Sequence, residues 1–179
     1  MGTAGMSARV ILVVSGSDRP GLTKALADAV HTAGANWLES HLSRLGGKYV
    51  GSVLVELDAT ALAALEAEVA RVDATGLRVS LVPADDEVVP GGDMLTVALV
   101  GQDRPGIVRE VTAVLAALGV NIDSLTTSTE HGAWSGEPLF RAEARVTLPN
   151  GVDQDEVQTA LEAISGEVMV DFTVSKAGA

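Results

Sequence analysis

A charged turn that contains proline and glycine occurs twice in the sequence, each time directly after an apolar run. The first copy reads GSDRPGL over residues 16–22, and the second reads GQDRPGI over residues 101–107. Aspartate suits an ammonium group, and a helix that starts after the turn offers unpaired N–H groups to a carboxylate. Glycine lets a ligand approach the backbone closely. Each turn is therefore a candidate binding site for a small zwitterion.

The same turn also has a purely structural interpretation. Pro20 has a backbone angle suited to a first helical turn, Asp18 can cap the N–H groups beyond it, and Gly21 allows the strand to turn tightly. The second turn offers the same residue types at the same places. The turn by itself leaves both interpretations open.

The two turns belong to a long internal repeat. With Gly16 aligned on Gly101 the offset is 85 residues, and seven of the 22 positions from Ser15 to Asn36 are identical. Apolar residues recur at helical spacing after each turn, which predicts one buried helix face per copy. These residues are Leu22, Leu26, Ala29, Val30 and Ala33, matched by Ile107, Val111, Val114, Leu115 and Leu118.

Each copy predicts the element order β-α-β-β-α-β. The predicted strands are 9–14, 36–45, 49–57 and 77–82, then 94–100, 120–130, 139–148 and 168–174. Gly34 is expected to end the first helix as its C′ residue, and Leu62, Leu65, Val69 and Val72 form the stripe of the second. This order is the α+β, ferredoxin-like arrangement, an antiparallel sheet with both helices on one face.

The domain boundaries follow from the repeat and from a polar stretch between its copies. We expect a first domain over 1–84, of which 1–7 could form a disordered tail. A linker over 85–92, rich in proline, glycine and acidic residues, precedes a second domain over 93–179. Val10, Leu12 and Val14 make one face of the first strand apolar, and Ile11 and Val13 do the same for the other. Helices can cover only one face, so either the halves pack together or the chain forms a homodimer.

Composition excludes several classes of function. Twelve Lys and Arg against 24 Asp and Glu give a net charge of −12, which disfavours direct binding to nucleic acid or to anionic membranes. Cysteine is absent, and the opening apolar run is too short for a membrane span and lacks a signal-peptide layout. A cytoplasmic protein is the expectation.

Metal, cofactor and RNA sites find little support in the sequence. His31, His41 and His131 have no ligand spacing, so neither a metal nor a cofactor is expected. RNA-binding domains share the βαββαβ order, but they stack bases on aromatic side chains of the central strands. Residues 9–14 and 94–100 contain no aromatic residue.

An enzyme remains the rival class. In an acyl-phosphate hydrolase of ferredoxin-like fold, Arg19 or Arg104 would hold the phosphate and Asn36 or Asn121 would orient a water. Against this interpretation, the two motifs are nearly equal and neither a nucleophile nor an acid–base pair is visible. A protein-interaction scaffold without a ligand is the other alternative.

A hairpin at residues 130–140 occurs only in the second copy. Its Trp134 could anchor a protein partner, because exposed aromatic residues are frequent hot spots, or it could cover its own sheet. The sequence does not decide between these two roles.

The element order, the DRPG turns and the helix exits GANW and GVNI resemble ACT domains, the small-molecule-sensing modules of amino-acid metabolism. Two such units without a catalytic domain, with the stretch SGEPLFRAEARVTLP over 135–149, are similar to the glycine cleavage system transcriptional repressor family. The resemblance implies control of glycine cleavage genes through contact with a transcriptional regulator protein rather than with DNA.

The resemblance also implies where a small amino acid, with glycine as a candidate, would bind. Within one split βαβ unit, the turn and the start of the second strand lie at opposite ends, so contacts between two ACT units would supply the site. The residues implied are Asp18, Arg19, Pro20, Gly21 and Asn36, and equally Asp103, Arg104, Pro105, Gly106 and Asn121. Some amino-acid-binding relatives have histidine in place of Gly16 and Gly101, and asparagine in place of the aspartates.

Overall fold

The computed structural model describes residues 6–85, 91–131, 138–164 and 169–173, and the chain divides into two compact units between residues 87 and 88. In the first unit, β1 (Ser7–Ser17), α1 (Leu22–Thr32), β2 (Asn36–Leu45) and β3 (Lys48–Asp58) precede a 3-10 turn (Ala59–Ala61), α2 (Leu62–Asp73) and β4 (Leu77–Pro83). The predicted order is confirmed, although the sequence analysis did not foresee the 3-10 turn.

The second unit repeats the order of the first. It contains β5 (Asp93–Gln102), α3 (Ile107–Ala117), β6 (Asn121–His131), β7 (Pro138–Leu148), α4 (Gln154–Glu162) and β8 (Met169–Thr173). The predicted linker falls between β4 and β5, and residues 86–90 of it lie outside the described ranges.

Both sheets are antiparallel and have the same strand order. The first is β2-β3-β1-β4 and the second is β6-β7-β5-β8, so the first strand of each unit lies in the interior of its sheet. A β-bulge interrupts the edge pairing at the same place in both, between Trp37 and Glu39 and between Ile122 and Ser124. The predicted ferredoxin-like fold is confirmed.

The helices cover one face of each sheet and bury alternate strand residues. Val10, Leu12 and Val14 are buried with the predicted α1 stripe and with Leu65 of α2. In the second unit the predicted alternation of β7 is confirmed, with Phe140, Ala142, Ala144, Val146 and Leu148 buried. One residue was misplaced: Leu62 is 37% exposed, because it begins α2 where the chain has just left the 3-10 turn.

Both first helices end as predicted, at a glycine with a left-handed backbone. Gly34 has φ 72° and Gly119 has φ 70°. The N–H of Ala35 donates to the carbonyl of Val30 at 3.0 Å, and the N–H of Gly34 donates to that of His31 at 3.0 Å, which together form a Schellman motif. Gly119 and Val120 make the same pair of bonds in the second unit. These motifs direct the chain into β2 and β6.

The faces opposite the helices differ between the two sheets. On the first, Ile11 pairs in register with Leu54 and Val82, and Val13 is 45% exposed. On the second, the central strand β7 exposes Arg141, Glu143 and Arg145. The apolar second face of β1 is therefore present as predicted, and what covers it stays a hypothesis.

Candidate functional site

Each DRPG turn places its glycine immediately before a helix, in a left-handed conformation. Gly21 has φ 92° and ψ −2°, and Gly106 has φ 91° and ψ −3°. With proline before such a glycine, the four residues from the arginine to the first residue of the helix match a type II β-turn. In the second turn, the N–H of Ile107 donates to the carbonyl of Arg104 at 3.3 Å. The placement of Pro20 in a first helical turn was wrong, because α1 begins two residues later at Leu22.

The helix starts after the two turns receive no capping hydrogen bond from a side chain in the described part of the chain. The expected cap by Asp18 is not formed. Its carboxylate instead lies 3.4 Å from Nε of Arg44, and its own N–H donates to the carbonyl of Gly47 at 3.4 Å. The first-turn N–H groups of α1 and α3 therefore keep the partial positive charge that attracts a carboxylate.

Three basic side chains surround the first turn, and we call them the cationic rim: Arg19, Arg44 and Lys48. Nη2 of Arg19 donates to the carbonyl of Thr75 at 2.6 Å, beyond the end of α2. Nζ of Lys48 donates to Oγ of Ser17 at 3.1 Å, and Arg44 lies against Asp18. The rim joins the turn to β2, β3 and the α2–β4 connection.

The second turn has a different set of contacts. Nη1 of Arg104 donates to Oε1 of Glu110 at 2.9 Å, and Nη2 donates to the other carboxylate oxygen of the same residue. Glu110 belongs to the first turn of α3. The hydrogen bond from Arg104 holds the pKa of Glu110 below its usual value, and desolvation opposes this shift. A carboxylate of the chain itself thus already lies on this arginine.

The asparagines at the helix exits lie far from the turn of their own unit. Asn36 pairs with Glu56, which pairs with Arg9, whereas the turn follows Ser17, eight residues farther along β1. At about 3.3 Å per residue this separation is about 26 Å. The second unit has the same register, through Asn121, Thr147 and Met94. The structure thus keeps the turn and the asparagine of one unit apart. The sequence analysis expected this separation.

Asn121 makes a local network that Asn36 lacks. Its Nδ2 donates to Oδ1 of Asp123 at 2.6 Å, and Oγ1 of the buried Thr147 donates to Oδ2 of Asp123 at 2.8 Å. Asp123 lies in the bulge of β6. Leu38 occupies the equivalent bulge position of β2. The amide of Asn121 is therefore oriented by its own strand.

A close approach of backbone explains the glycine at position 16. A Cβ atom there would lie 2.7 Å from the carbonyl oxygen of Gly76 and 3.1 Å from Cα of Leu77. The first copy therefore has no room for a side chain such as histidine at this position.

A shallow groove of about 260 Å³ runs between α1 and α2 of the first unit. One of its lining residues, Thr75, accepts the hydrogen bond from Arg19. Its lining residues are Ala25, Asp28, Ala29, Thr32, Glu68, Arg71, Val72 and Thr75.

Several residues at these sites escaped the sequence analysis. The alignment of the repeats contained a signal for Glu110, because the two copies differ at this position: the second has a carboxylate where the first has Ala25. Only the pairing of strands brings Arg44, Lys48 and Asp123 to these sites, so the sequence alone did not reveal them. Trp134 lies outside the described residues, and so does the tip of its hairpin. In the described ranges no cluster of three His, Asp or Glu side chains could hold a metal, and no helix there is long and apolar enough to cross a membrane.

Two ferredoxin-like units in tandem, each with a glycine turn before a helix that receives no side-chain cap, define the fold class of the chain. Family models of the ACT domain match residues 8–81 and residues 96–166. The chain therefore belongs to the ACT-domain family and contains two ACT domains in tandem.

Comparison with known proteins gives three informative likenesses. The chain is 30% identical over 174 residues to phosphoserine phosphatase SerB2 of Mycobacterium tuberculosis, covering 94% of this chain and 41% of the phosphatase. It thus spans about two fifths of the length of that curated relative. The crystal structure of an unknown protein from Galdieria sulphuraria is 33% identical with a TM-score of 0.76, covering 93% of this chain and 98% of that one.

The third likeness is to the crystal structure of a protein named as a glycine cleavage system transcriptional repressor. It is 15% identical with a TM-score of 0.70, and the match covers 95% of this chain and 99% of that one. At this identity the likeness shows a shared fold over nearly the whole of both chains.

Proposed function

We propose that the chain is a non-enzymatic regulatory protein that binds a small amino acid at contacts between ACT units and transmits the signal to a protein partner. The observation that carries the proposal is an uncapped helix start, preceded by a left-handed glycine and surrounded by both charge signs. Membership of the ACT family supports it. The finer proposal, glycine as ligand and a transcriptional regulator of glycine cleavage genes as partner, follows the resemblance to the repressor family.

In this proposal the ligand carboxylate accepts hydrogen bonds from the first-turn N–H groups of a helix, where the helix dipole also favours it. Asp18 or Asp103 faces the ammonium group, and Gly21 or Gly106 allows the ligand to approach the backbone. Because Asn36 and Asn121 lie at the far ends of their own units, each would contact a ligand held by the turn of another unit.

Overall charge favours a protein partner over DNA. A net charge of −12 repels phosphate backbones, so control of transcription would pass through contact with another protein. For the ligand to act as a signal, its affinity must differ between two conformations or assemblies of the chain.

The likeness to the phosphatase supports a second candidate of the same regulatory kind. Because 94% of this chain aligns with 41% of that enzyme, the ACT pair could serve as the amino-acid-sensing part of an enzyme of amino-acid metabolism. In that case the partner is a catalytic domain rather than a transcriptional regulator.

Calorimetric titration of the full chain with glycine, serine and aspartate, beside an acyl-phosphate hydrolysis assay, tests the proposal. We expect saturable binding of at least one amino acid, lost when Asn36→Ala and Asn121→Ala are combined. Glu66→Gln, an exposed change on α2, is the matched control and should bind like the wild type. Hydrolysis that disappears in Arg104→Ala would favour the enzyme instead, and absence of binding would leave a scaffold.

A further inference from the structure

The two turns are alike in sequence but differ in their charged neighbours. The cationic rim gives the first turn three basic side chains beside one carboxylate, that of Asp18. By strand register, Thr129 and Leu139 of the second unit stand where Arg44 and Lys48 stand in the first. Among the described residues, the rim therefore has no counterpart on β6 and β7.

The second turn instead carries an internal carboxylate. Glu110 accepts hydrogen bonds from both terminal nitrogens of Arg104, and this two-pronged geometry is the one that guanidinium uses to bind a carboxylate. Its counterpart in the first unit is Ala25, so α1 has no acidic residue in its first turn. Arg109 also acts on Glu110 electrostatically, so the charges of Asp103 and Glu110 are balanced by those of Arg104 and Arg109.

The internal contacts of the first turn are easier to displace. Arg19 binds an uncharged backbone carbonyl, and the pair of Arg44 with Asp18 is a single contact of 3.4 Å between side chains that are 73% and 34% exposed. Exposed pairs with a single contact contribute little stability. The pair of Arg104 with Glu110 is also partly exposed, at 36% and 43%, but it has the stronger two-pronged geometry.

We propose that the two ACT domains are unequal: the first turn receives the carboxylate of the ligand, and Glu110 closes the second turn to it. This inference rests on the proposed amino-acid sensing and specifies which copy performs it. Glu110 is then a specificity-determining residue, because its carboxylate binds Arg104, which the carboxylate of a ligand would otherwise contact. One amino acid binds per chain, although the motif occurs twice.

A gain-of-function variant provides the sharpest test. In the calorimetric titration with glycine, serine and aspartate, we expect one site per chain in the wild type and two in Glu110→Ala. Arg19→Gln combined with Arg44→Gln should weaken binding at least ten-fold, whereas Arg104→Gln should change affinity less than two-fold. Glu66→Gln and thermal melts control for general charge and for folding. Two sites in the wild type, or loss of binding in Arg104→Gln alone, would overturn the inference.

Acetate separates this inference from the proposed function. In NMR spectra of the full chain, added acetate should shift the amide signals of Leu22 and Thr23. The amide signals of Ile107 and Val108 should stay in place. If the shifts occur at α1 while no amino acid binds saturably, the inequality of the turns holds and amino-acid sensing fails. Equal shifts at both helix starts, or at α3 alone, would refute the inequality itself.

Discussion

The hydroxyl oxygens of Thr23 and Tyr49 lie 2.7 Å apart, and their hydrogen bond ties the first turn of α1 to the start of β3. Tyr49 is buried and pairs in register with Gly16, two residues before the DRPG turn begins at Asp18. The turn is thus fixed on both sides, by the sheet and by the helix. The equivalent residues of the second unit, Val108 and Phe140, have no hydroxyl group and cannot form this hydrogen bond.

Tyr49→Phe should lower the free energy of unfolding by about 1 kcal/mol, since it deletes a partly buried hydrogen bond and leaves the ring in place. Thr23→Val should have a similar effect. Urea denaturation of both single variants and of the double variant gives their coupling energy. Strict additivity would show that the two hydroxyl groups do not interact.

Gly16→Ala should destabilise the first unit by about 1–3 kcal/mol, because its new methyl group overlaps the backbone of Gly76 and Leu77. Gly91→Ala is the matched control, since a Cβ there meets no atom within 4 Å. Chemical denaturation measures both variants. A tolerated Gly16→Ala together with a costly Gly91→Ala would contradict the register of β1 and β4.

Gly21→Ala should cost about 1–3 kcal/mol for a different reason. A Cβ at this position meets no atom within 4 Å, so the cost arises only from the left-handed φ of 92°. Gly21→Asn should cost less, because asparagine tolerates this region better than alanine. Melting temperatures of the two variants provide the measurement. Equal stability of both variants with the wild type would show that the turn adopts another conformation in solution.

Stability should fall at acid pH, in part through Glu110. Its folded pKa is lowered by the hydrogen bond from Arg104, so its contribution to stability is fully present at a pH above the pKa that this carboxyl has in the unfolded chain. That contribution is lost as pH falls through the folded value. Melting temperatures measured from pH 6 down to pH 3 should therefore decline less steeply in Glu110→Gln. Asp58, whose pKa is lowered by hydrogen bonds from Thr60, acts in the same direction, and Asp58→Asn should flatten the same range. A Glu110→Gln profile that runs parallel to the wild type would contradict this role.

The open face of the first sheet should mediate self-association if the chain forms a homodimer. Val13→Arg adds charge at a position that is 45% exposed, so it should shift the molecular mass by light scattering towards the monomer while changing stability by less than about 1 kcal/mol. Leu12→Ala, on the buried face, should instead cost about 2–5 kcal/mol. An unchanged mass in Val13→Arg would exclude this face from a dimer interface.

Local periodicity was enough to predict most of the fold. Buried positions recur with period 3.6 in α1 and with period 2 in β7, and these repeats depend on the geometry of a single element. Leu62 shows where this reasoning ends. It fits the helical stripe, but a helix is covered by its neighbours only along part of its length, and the stripe does not reveal where that contact stops.

The candidate site was less predictable than the fold. The sequence identified Asp18, Arg19, Gly21 and their counterparts as chemically capable, and it predicted that the asparagines lie at the other end of each unit. It could not predict that Asp18 contacts Arg44 rather than the start of α1. Arg44 lies 26 residues from Asp18 in the chain, and only strand register brings the two side chains together.

The sequence alone thus determined the duplicated element order, the two buried helix faces and the positions of the two glycine turns. Each of these features depends on residues that lie a few positions apart in the chain. The tertiary structure decided which charges meet at each turn. Pairing between strands places Arg44 and Lys48 beside the first turn and Thr129 and Leu139 at the equivalent places in the second. Electrostatic attraction depends on distance in space rather than on separation along the chain, so two nearly identical motifs acquire different charged surroundings.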